Sequence, residues 1–389
     1  MNTTPAHKPI IDSKLPQVGT TIFTRMSALA SACGAINLSQ GFPDFDAPLA
    51  LREALTHHVM AGHNQYAPMA GVISLREQLA AQIQRYRGVD CHPDSEITII
   101  PGATSGIFCA VMACILPGDE VIVFDPCYDS YEPSIELAGG RAVHIPLGAG
   151  NFAIDWQRVE AAINKRTRMI MLNSPHNPSG STAQREDLLR LQELAVRHDL
   201  LVLSDEVYEH LVFDGRLHHS VLQFEELRQR SFALYSFGKT FSVTGWKTGY
   251  CVAPPALTRE FRKVHQFVSF VAVTPVQLAL ADFLLAQPDC AASLAQFYQA
   301  KRDLFCEALA GSRFTLVPSA GTYFQLLDYS AISELPDEQL CETWTRHHGI
   351  ASIPVSLFYQ TPPAQHYLRF CFAKSDEVLL EAARILCQI

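Results

Sequence analysis

The sequence has no run of about 18 consecutive uncharged apolar residues, so no membrane-spanning helix is predicted. Residues 1–16 are polar and contain prolines, and they lack the apolar core of a secretory signal peptide. We therefore expect a cytoplasmic protein. An excess of basic residues is also missing, because 30 Lys and Arg stand against 39 Asp and Glu and give a net charge of −9. This balance argues against a nucleic-acid or membrane-surface partner.

Several sequence motifs with well-understood chemistry are absent too. The 11 cysteines include no Cys-x-x-Cys pair, and most lie in apolar runs, as Cys109, Cys114 and Cys371 do, so we expect buried, reduced thiols. Neither Gly-x-Ser-x-Gly nor Gly-x-Gly-x-x-Gly occurs. The main sequence support for a serine hydrolase or a nicotinamide-dependent enzyme is therefore missing.

Adjacent histidines occur three times and could suggest a metal site. Neighbouring residues do not face the same way on a helix or a strand, and no Cys or carboxylate completes a ligand set at zinc-site spacing. We expect these side chains at the surface and predict no metal. The pairs are His57-His58, His218-His219 and His347-His348.

What is present is ample apolar material, 48% of 389 residues, enough for two or three structural units. Short apolar runs alternate with helical patterns through the middle of the chain, which is typical of a mostly parallel sheet covered by helices on both faces. The predicted strands are 96–100, 121–124, 142–145, 168–172, 200–204, 232–236 and 250–253. The predicted helices between them are 104–115, 129–137, 155–164 and 184–198.

Beyond this region the pattern changes. From 257 to about 311 it is helical, and we expect a long helix that carries the chain from one domain to another. Shorter elements then predict a smaller α+β unit. Its strands are expected at 314–316, 323–327 and 367–372, and its helices at 337–347 and 376–386. The predicted fold class is α/β, a large domain with a mostly parallel sheet and a smaller α+β domain.

Residues suited to chemistry follow the predicted strands, where open α/β sheets bind ligands. Lys239 has no acidic residue within nine positions on either side. It is either a solvated loop lysine or a nucleophile with a lowered pKa that forms a Schiff base. Gly238-Lys239-Thr240 resembles the end of a phosphate-binding P-loop, but Ala233 stands where that motif requires its first glycine.

Two charged residues lie in apolar strands. Asp205 ends a buried strand, and it is either a helix N-cap or a buried carboxylate that needs a cation. Arg369 lies in the apolar strand near the C-terminus, and it is either half of a structural ion pair or a group that captures a carboxylate.

Two turns also attract attention. The stretch 173–180, with two prolines and a glycine, is either a simple rigid turn or a platform for the Asn177 amide. The small-residue turn 101–106 opens a helix, whose free N–H groups can bind an anion.

Together and in this order, these motifs resemble those of the pyridoxal-phosphate-dependent class I/II aminotransferases of fold type I. The resemblance extends from about Leu15 to the C-terminus and is closest to bacterial methionine aminotransferases and kynurenine–glutamine transaminases. It implies a homodimer with the active site near the subunit interface. It also implies a large cofactor-binding domain, 45–290, and a small domain with an N-terminal arm, 1–44 and 291–389. The stretches that carry it are 19–24, 37–44, 64–69, 205–210, 236–240 and 244–254.

The resemblance implies catalytic roles for three residues. Lys239 would carry the cofactor pyridoxal 5'-phosphate as a Schiff base and move the proton, Asp205 would pair with the pyridinium nitrogen, and Tyr208 would bond the ring oxygen. The remaining cofactor-binding residues would be Asn177, Tyr128, Ala103, Thr104, Ser236, Lys247 and, from the neighbouring subunit, Tyr66. A cis Asn177–Pro178 bond is also implied. Lys247 replaces the arginine of many members, which we interpret as a mark of the kynurenine-type subgroup.

The resemblance further implies the reaction. An amino acid and a 2-oxo acid would exchange an amino group by a ping-pong mechanism, with methionine favoured and aromatic amino acids, histidine or glutamine as further donors. Arg369, the Gly41 backbone and Asn177 would bind the substrate carboxylate, and Phe23 would line an apolar pocket. Two alternatives stay open: a kynurenine–oxoglutarate/glutamine transaminase with cysteine-conjugate β-lyase activity, and a ligand-sensing regulator, which normally adds a DNA-binding domain.

Overall fold

The computed structural model describes residues 11–364 and 366–389. Its strands are β1 (Ile36–Asn37), β2 (Ile97–Ile100), β3 (Glu120–Asp125), β4 (Arg141–Pro146), β5 (Thr167–Asn173), β6 (Leu201–Asp205), β7 (Ser231–Ser236), β8 (Gly249–Val252), β9 (Phe324–Asp328), β10 (Ile350–Ala351), β11 (Ile353–Pro354) and β12 (Tyr367–Cys371). Its helices are α1 (Ile22–Cys33), α2 (Leu49–Met60), α3 (Ile73–Arg87), α4 (Ala103–Cys114), α5 (Tyr131–Leu137), α6 (Trp156–Ala162), α7 (Arg185–Arg197), α8 (Glu225–Arg228), α9 (Phe237–Thr240), α10 (Pro255–Val268), α11 (Thr274–Ala286), α12 (Leu294–Ala308), α13 (Asp337–His347) and α14 (Asp376–Leu386).

A seven-stranded sheet in the order β2-β8-β7-β6-β5-β3-β4 forms the centre of the molecule. β8 runs antiparallel to both of its neighbours, and the other adjacent strands are parallel. Apolar side chains from both faces of this sheet form two separate clusters under the surrounding helices. Burial on both faces explains why its strands are continuous apolar runs. The prediction of a mostly parallel sheet covered by helices is confirmed.

The pairing register brings the ends of three neighbouring strands to one edge. Asn173 is level with Asp205 across β5 and β6, and Asp205 is level with Leu234 on β7. Ser236, two residues further on, ends β7. Polar side chains at the strand ends therefore meet at this edge, as expected for an open α/β sheet.

The C-terminal residues, together with α1 and β1, form a smaller unit of two further sheets and the helices packed on them. Strands β9, β12 and β11 make a small antiparallel sheet, and β1 pairs in parallel with β10. Their apolar side chains pack with those of α1, α13 and α14 in a third cluster. The smaller α+β unit is thus confirmed.

Local capping explains where several helices begin. The hydroxyl of Thr21 accepts the N–H of Thr24 at 3.3 Å at the start of α1, and Gly34 ends that helix at φ 60°, in the left-handed region. Ser375 caps α14 in the same manner.

Two predictions about the helical and C-terminal regions are wrong. The region 257–311 is helical as predicted, but it forms three helices, α10, α11 and α12, rather than one long helix. Pro275 is the second residue of α11 and Pro288 lies between α11 and α12, and neither can donate a helical N–H. The strand expected at 314–316 is a single bridge between Thr315 and Asp328, since of its three residues only Phe314 is buried.

The expectation of surface histidines is wrong for two of the pairs. His58 and His218 are buried, 7% and 9% exposed, because each has a carboxylate partner. The partners are Asp282 at 2.8 Å and Glu206 at 3.0 Å. Across residues 11–364 and 366–389, no group of three His, Cys, Asp or Glu side chains is placed to hold a metal ion.

The cysteine prediction is confirmed in the main. All 11 thiols are free, and only Cys33 and Cys387 are exposed. None of the helices in the described ranges is long and apolar enough to cross a membrane.

Candidate active site

A pocket of about 760 Å³ opens at the carboxyl ends of β5, β6 and β7, next to the first turn of α4. Nine of the residues singled out in the sequence line this pocket. They are Ala103, Thr104, Tyr128, Asn177, Asp205, Tyr208, Ser236, Lys239 and Lys247.

Asp205 is a buried carboxylate at the end of β6, 4% exposed. Tyr131 donates its hydroxyl to Oδ2 at 2.8 Å, and the N–H of Val207 reaches Oδ1 at 3.4 Å. Burial raises the pKa of Asp205 to about 6. The two hydrogen bonds and the charge of Lys239 lower this pKa, but they do not offset the effect of burial. Within the described ranges no cationic nitrogen forms an ion pair with it. The N-cap interpretation does not describe this residue, because no helix begins there.

Lys239 lies in the short helix α9, directly after β7. Its Nζ donates to the carbonyl oxygen of Gly41 at 3.1 Å and to the hydroxyl of Tyr323 at 3.0 Å, and that hydroxyl donates to the same carbonyl at 2.5 Å. Burial lowers the pKa of Lys239 to about 8. A large fraction of the amine is therefore uncharged in mildly alkaline solution, which suits a nucleophile better than a solvated loop lysine.

The opposite end of the pocket is lined with small and polar groups. Gly102 has φ 80°, and α4 begins directly after it, so the N–H groups of Ala103 and Thr104 belong to the first turn. A Cβ at Gly102 would lie 3.4 Å from Nζ of Lys247, which places this amine beside the helix start. Backbone N–H groups, the Ser236 hydroxyl and an ammonium group together suit an anion.

Arg369 is 1% exposed in the middle of β12, between Leu326 of β9 and Ile353 of β11. Its Nη1 donates to Oδ1 of Asn177 at 2.8 Å and its Nη2 to the carbonyl of Ser39 at 2.9 Å. Nε is buried and has no partner in the described part of the chain.

The surroundings of Arg369 are aromatic rather than acidic. Its guanidinium lies 4.0 Å from the ring centre of Phe324 and 5.1 Å from that of Phe23. Burial lowers its pKa, and none of the described carboxylates forms an ion pair with it. A buried arginine without an anion is costly, which favours carboxylate capture over the structural ion pair.

The turn after β5 connects these groups. The backbone N–H of Asn177 donates to the side-chain oxygen of Asn173 at 2.8 Å, and the Asn173 amide donates to the carbonyl of Asp205 at 2.9 Å. The Asn177–Pro178 bond is cis, as predicted. Tyr208 is 2% exposed, with its pKa raised by burial.

Of the thirteen predicted site residues, only Tyr66 lies apart from the others. Its side chain is 83% exposed, and its ring packs edge-on against Phe270 at 5.4 Å. Tyr131 and Tyr323, which contact Asp205 and Lys239, were not predicted. Tyr131 follows the predicted Tyr128 by three residues and begins α5, and Tyr323 directly precedes β9, but neither spacing alone marks a site.

The residues present suit pyridoxal 5'-phosphate. The buried Asp205 carboxylate lacks a cation, which a protonated pyridine nitrogen would supply. The Lys239 amine suits the aldehyde, and the anion-binding end of the pocket suits the phosphate. Each of the three groups of the cofactor thus has a complementary group in one pocket.

Comparisons with known proteins agree with this geometry. The family described as aminotransferase class I and II matches residues 34–386. The chain is 50% identical to the methionine aminotransferase of Escherichia coli strain K12 over 98% of this chain and 100% of that protein. It is 33% identical to human kynurenine–oxoglutarate transaminase 1, over 91% and 92% of the two chains.

A solved structure is similar as well. The Escherichia coli protein YbdL, whose crystal structure and reactivity identified a methionine aminotransferase function, superimposes with a TM-score of 0.96 at 50% identity, over 98% of this chain and 100% of the other. This chain is therefore an aminotransferase, and it belongs to the pyridoxal-phosphate-dependent class I and II family.

Proposed function

We propose that this enzyme transfers the amino group of methionine to a 2-oxo acid. The proposal rests on three groups around one pocket. They are a buried carboxylate without a counter-ion, a buried arginine without an anion and an amine of lowered pKa. These are Asp205, Arg369 and Lys239. The choice of methionine rests on the relative that is 50% identical to this chain and carries that name.

Bound pyridoxal 5'-phosphate supplies a conjugated ring that accepts the electrons released when the Cα–H bond of an amino acid breaks. Asp205 would hold its ring nitrogen in the protonated state, because a neighbouring anion stabilises the cation. Tyr208 and Asn177 would donate to its ring oxygen, and Tyr128 would cover the ring. The residues proposed for the phosphate are Ala103, Thr104, Ser236 and Lys247, with Tyr66 from a neighbouring subunit.

Lys239 is proposed to hold the cofactor and then to move the proton from Cα. A general base needs to be partly uncharged near the working pH, and the pKa of Lys239 is lowered to about 8 by burial. While the amine is free, its hydrogen bonds to the hydroxyl of Tyr323 and the carbonyl of Gly41 would hold it in one orientation.

Arg369 is proposed to orient the substrate through its carboxylate. Its Nη1 and Nη2 contact neutral oxygens, and its Nε has no partner in the described residues. A substrate carboxylate would supply the missing charge in the bidentate geometry that arginine favours.

The space for the substrate side chain favours an uncharged group. A second cavity, about 1230 Å³, meets the first at Tyr128 and extends to Ile22 and Phe358, whose ring stacks on Phe23 at 5.8 Å. No Lys or Arg lines it, but Asp129, Glu132 and Glu136 do. An acidic side chain would meet like charges there, while a thioether would meet aromatic surface.

Assembly and location are part of the proposal. We infer a homodimer, because the large apolar side chains of Tyr66, Met60, Phe267 and Phe270 are exposed, and the rings of Tyr66 and Phe270 pack on each other. Free thiols are typical of a reducing compartment, which favours the cytoplasm. We also propose the division into 45–290 and 1–44 with 291–389, of which residues 1–10 and residue 365 lie outside the described residues. The separate apolar cluster of α1, β9 and α12–α14 supports this division.

Initial rates of the purified holoenzyme with several amino donors and one 2-oxo acid test the substrate assignment. We expect kcat/KM for methionine to exceed that for aspartate by on the order of 100-fold, because no Lys or Arg lines that cavity and its histidine, His144, is already paired with Asp125 and Glu132. The Lys239→Ala variant supplies the background rate. A higher value for aspartate would contradict the proposal, and a higher value for kynurenine, or steady release of pyruvate from a β-substituted cysteine, would establish the alternative.

A further inference from the structure

The loop 356–360, between β11 and β12, forms one wall of the cavity assigned above to the substrate side chain. Of its five residues only Phe358 is buried, and its ring stacks on that of Phe23 at 5.8 Å. The ring of Phe23 in turn lies 5.1 Å from the guanidinium of Arg369. A line of contacts therefore leads from the group proposed to bind the substrate carboxylate to Phe358, where the far end of a substrate side chain would lie.

A buried carboxylate holds each end of this loop. At the first end, Asp337 of α13 accepts the backbone N–H of Ser356 at 2.7 Å and the hydroxyl of the same residue at 2.6 Å. At the other end, Oδ2 of Asp125 accepts the backbone N–H of Gln360 at 2.9 Å. Asp337 belongs to the same small unit as the loop, whereas Asp125 ends β3 of the central sheet. The Asp125 contact thus fixes the loop to the sheet that carries the cofactor pocket.

Asp125 is itself held in place by a histidine. Its side chain is 4% exposed, and its Oδ1 contacts Nδ1 of His144 on β4 at 2.7 Å. Burial alone would lower the pKa of His144, but the hydrogen bond and charge of Asp125, together with Glu132, outweigh it, and the pKa is raised. A carboxylate paired with a histidine through one oxygen can accept the loop N–H on the other without being left buried and uncompensated.

A second hydrogen bond joins the loop to the residues that follow β3. The backbone N–H of Cys127 donates to the carbonyl of Phe358 at 2.6 Å. Tyr128 comes directly after it and lines both the cofactor pocket and the cavity of the substrate side chain. The position of Phe358 is therefore set by the same short segment, Asp125 to Tyr128, that places an aromatic ring at the cofactor pocket.

We propose, on the basis of the function given above, that Asp125 is a positioning residue for recognition of the substrate side chain. By accepting the N–H of Gln360 it keeps Phe358 against Phe23, and these two rings contact the far end of an uncharged donor side chain. The methylthio group of methionine is such an end, because sulfur packs favourably on aromatic rings. Asp125 does not line the cofactor pocket, so it acts through the loop.

A proline at position 360 removes the N–H that Asp125 accepts and leaves the contact with His144 in place. Tyr359, at φ −114° and ψ 140°, already has the extended conformation that the residue before a proline requires, and the side chain of Gln360 is exposed. Gln360→Ala is the matched control, because it removes the same side chain but keeps the N–H. Phe358→Ala is a second variant, which removes the aromatic wall itself.

Binding of 4-(methylthio)butanoate, which is methionine without its amino group, measures this wall without turnover. Calorimetric titration of the holoenzyme compares it with butanoate, which lacks the methylthio group. We expect the wild type and Gln360→Ala to bind the thioether acid about tenfold more tightly than butanoate, and Gln360→Pro and Phe358→Ala to lose most of this difference. In single turnovers with methionine, Gln360→Pro should raise the saturation constant about tenfold and leave the maximal rate within about twofold of the wild type.

Three results would overturn the proposal. Gln360→Pro could keep the full preference for the thioether acid, Gln360→Ala could lose as much of it as Gln360→Pro, or the wild type could bind both acids equally. None of these results depends on which amino donor reacts fastest. A failure of the proposed methionine activity would instead be seen in the rates with aspartate and kynurenine, so the two failures are distinguishable.

Discussion

Asp205 and Glu206 are neighbours at the end of β6 and are equally buried, yet their surroundings differ. Glu206 accepts from Ser204, Val221, His218 and Tyr235 at 2.9–3.0 Å. Burial alone would raise the pKa of Glu206, but the hydrogen bond and charge of His218, together with the charge of Arg87, outweigh it, and the pKa is lowered. For Asp205, with only two donors, burial prevails and the pKa rises to about 6.

This difference indicates that Glu206 is a structural carboxylate, whereas Asp205 is available to bind a ligand. Glu206 is fully satisfied by the protein itself, so it holds β6, β7 and the segment after Leu217 together. Asp205 keeps a buried charge without a counter-ion, which a fold retains only where something else pairs with it. We infer that the ring nitrogen of the cofactor is that partner.

The sharpest way to break this comparison is to remove the charge of Asp205 while keeping its shape. Asp205→Asn should lower kcat by on the order of 10³-fold, because the amide no longer stabilises a protonated ring nitrogen. Steady-state kinetics with methionine measures the loss, and a single cooperative unfolding transition, at a melting temperature no lower than that of the wild type, shows that the fold of the variant is intact. Turnover within a few-fold of the wild type would contradict the role of Asp205.

The corresponding change in the neighbouring carboxylate, Glu206→Gln, should lower the stability of the fold rather than the rate of turnover. Glu206→Gln leaves His218 and Arg87 without part of their countercharge, so we expect the free energy of unfolding to fall by about 3 kcal/mol. Denaturant titration measures this, and kcat at 25 °C should stay within about tenfold of the wild type. Loss of turnover as large as in Asp205→Asn, without loss of stability, would erase the distinction between the two carboxylates.

The cofactor-free enzyme should show the cost of the Asp205 charge in its pH dependence. Its pKa in the fold, about 6, lies above its usual value of 3.8, so the folded state binds more protons than the unfolded state between these two values. Its contribution to stability is therefore present below pH 4 and is lost as pH rises through 6. The wild type, relative to Asp205→Asn, should lose roughly 2 kcal/mol between pH 4 and 7. A difference that is constant over this range would show that the pKa is not raised.

The smallest effect is expected from a change in Tyr131, which donates a hydrogen bond to Asp205. Tyr131→Phe removes the 2.8 Å donor to Oδ2, which raises the pKa of Asp205 further. We expect a fall in kcat/KM of about fivefold, steeper at low pH, because more of the carboxylate is then protonated. A pH–rate profile that does not move relative to the wild type would show that Tyr131 acts on packing alone.

Most of the residues that line the pocket could be predicted from the sequence, because polar and charged residues at the ends of apolar strands are visible in it. A lysine without nearby acids, and charged residues inside apolar strands, are visible without knowledge of contacts. The ordered motifs, through the resemblance to the family, then assigned the individual roles. Tyr131 and Tyr323 stayed hidden because their importance depends on contacts across 74 and 84 residues of chain, to Asp205 and Lys239.

The fold shows the same limit. The central strands were predicted to within a few residues because burial on both faces makes them continuous apolar runs. The helices α1 to α3 were not predicted, and their apolar stripes are weak: only three of the twelve residues of α1 are buried. The burial of His58 and His218 depended on carboxylates that lie 224 and 12 residues away, beyond any local pattern.

The central claim is that the amine of Lys239 carries the cofactor beside the Asp205 carboxylate, and borohydride reduction of the holoenzyme tests it most directly. Reduction fixes the cofactor covalently to the lysine that holds it, and peptide mapping by mass spectrometry then identifies that residue. We predict a single modified peptide with the cofactor on Lys239. A cofactor found on Lys247, Lys374 or any other lysine would contradict the account.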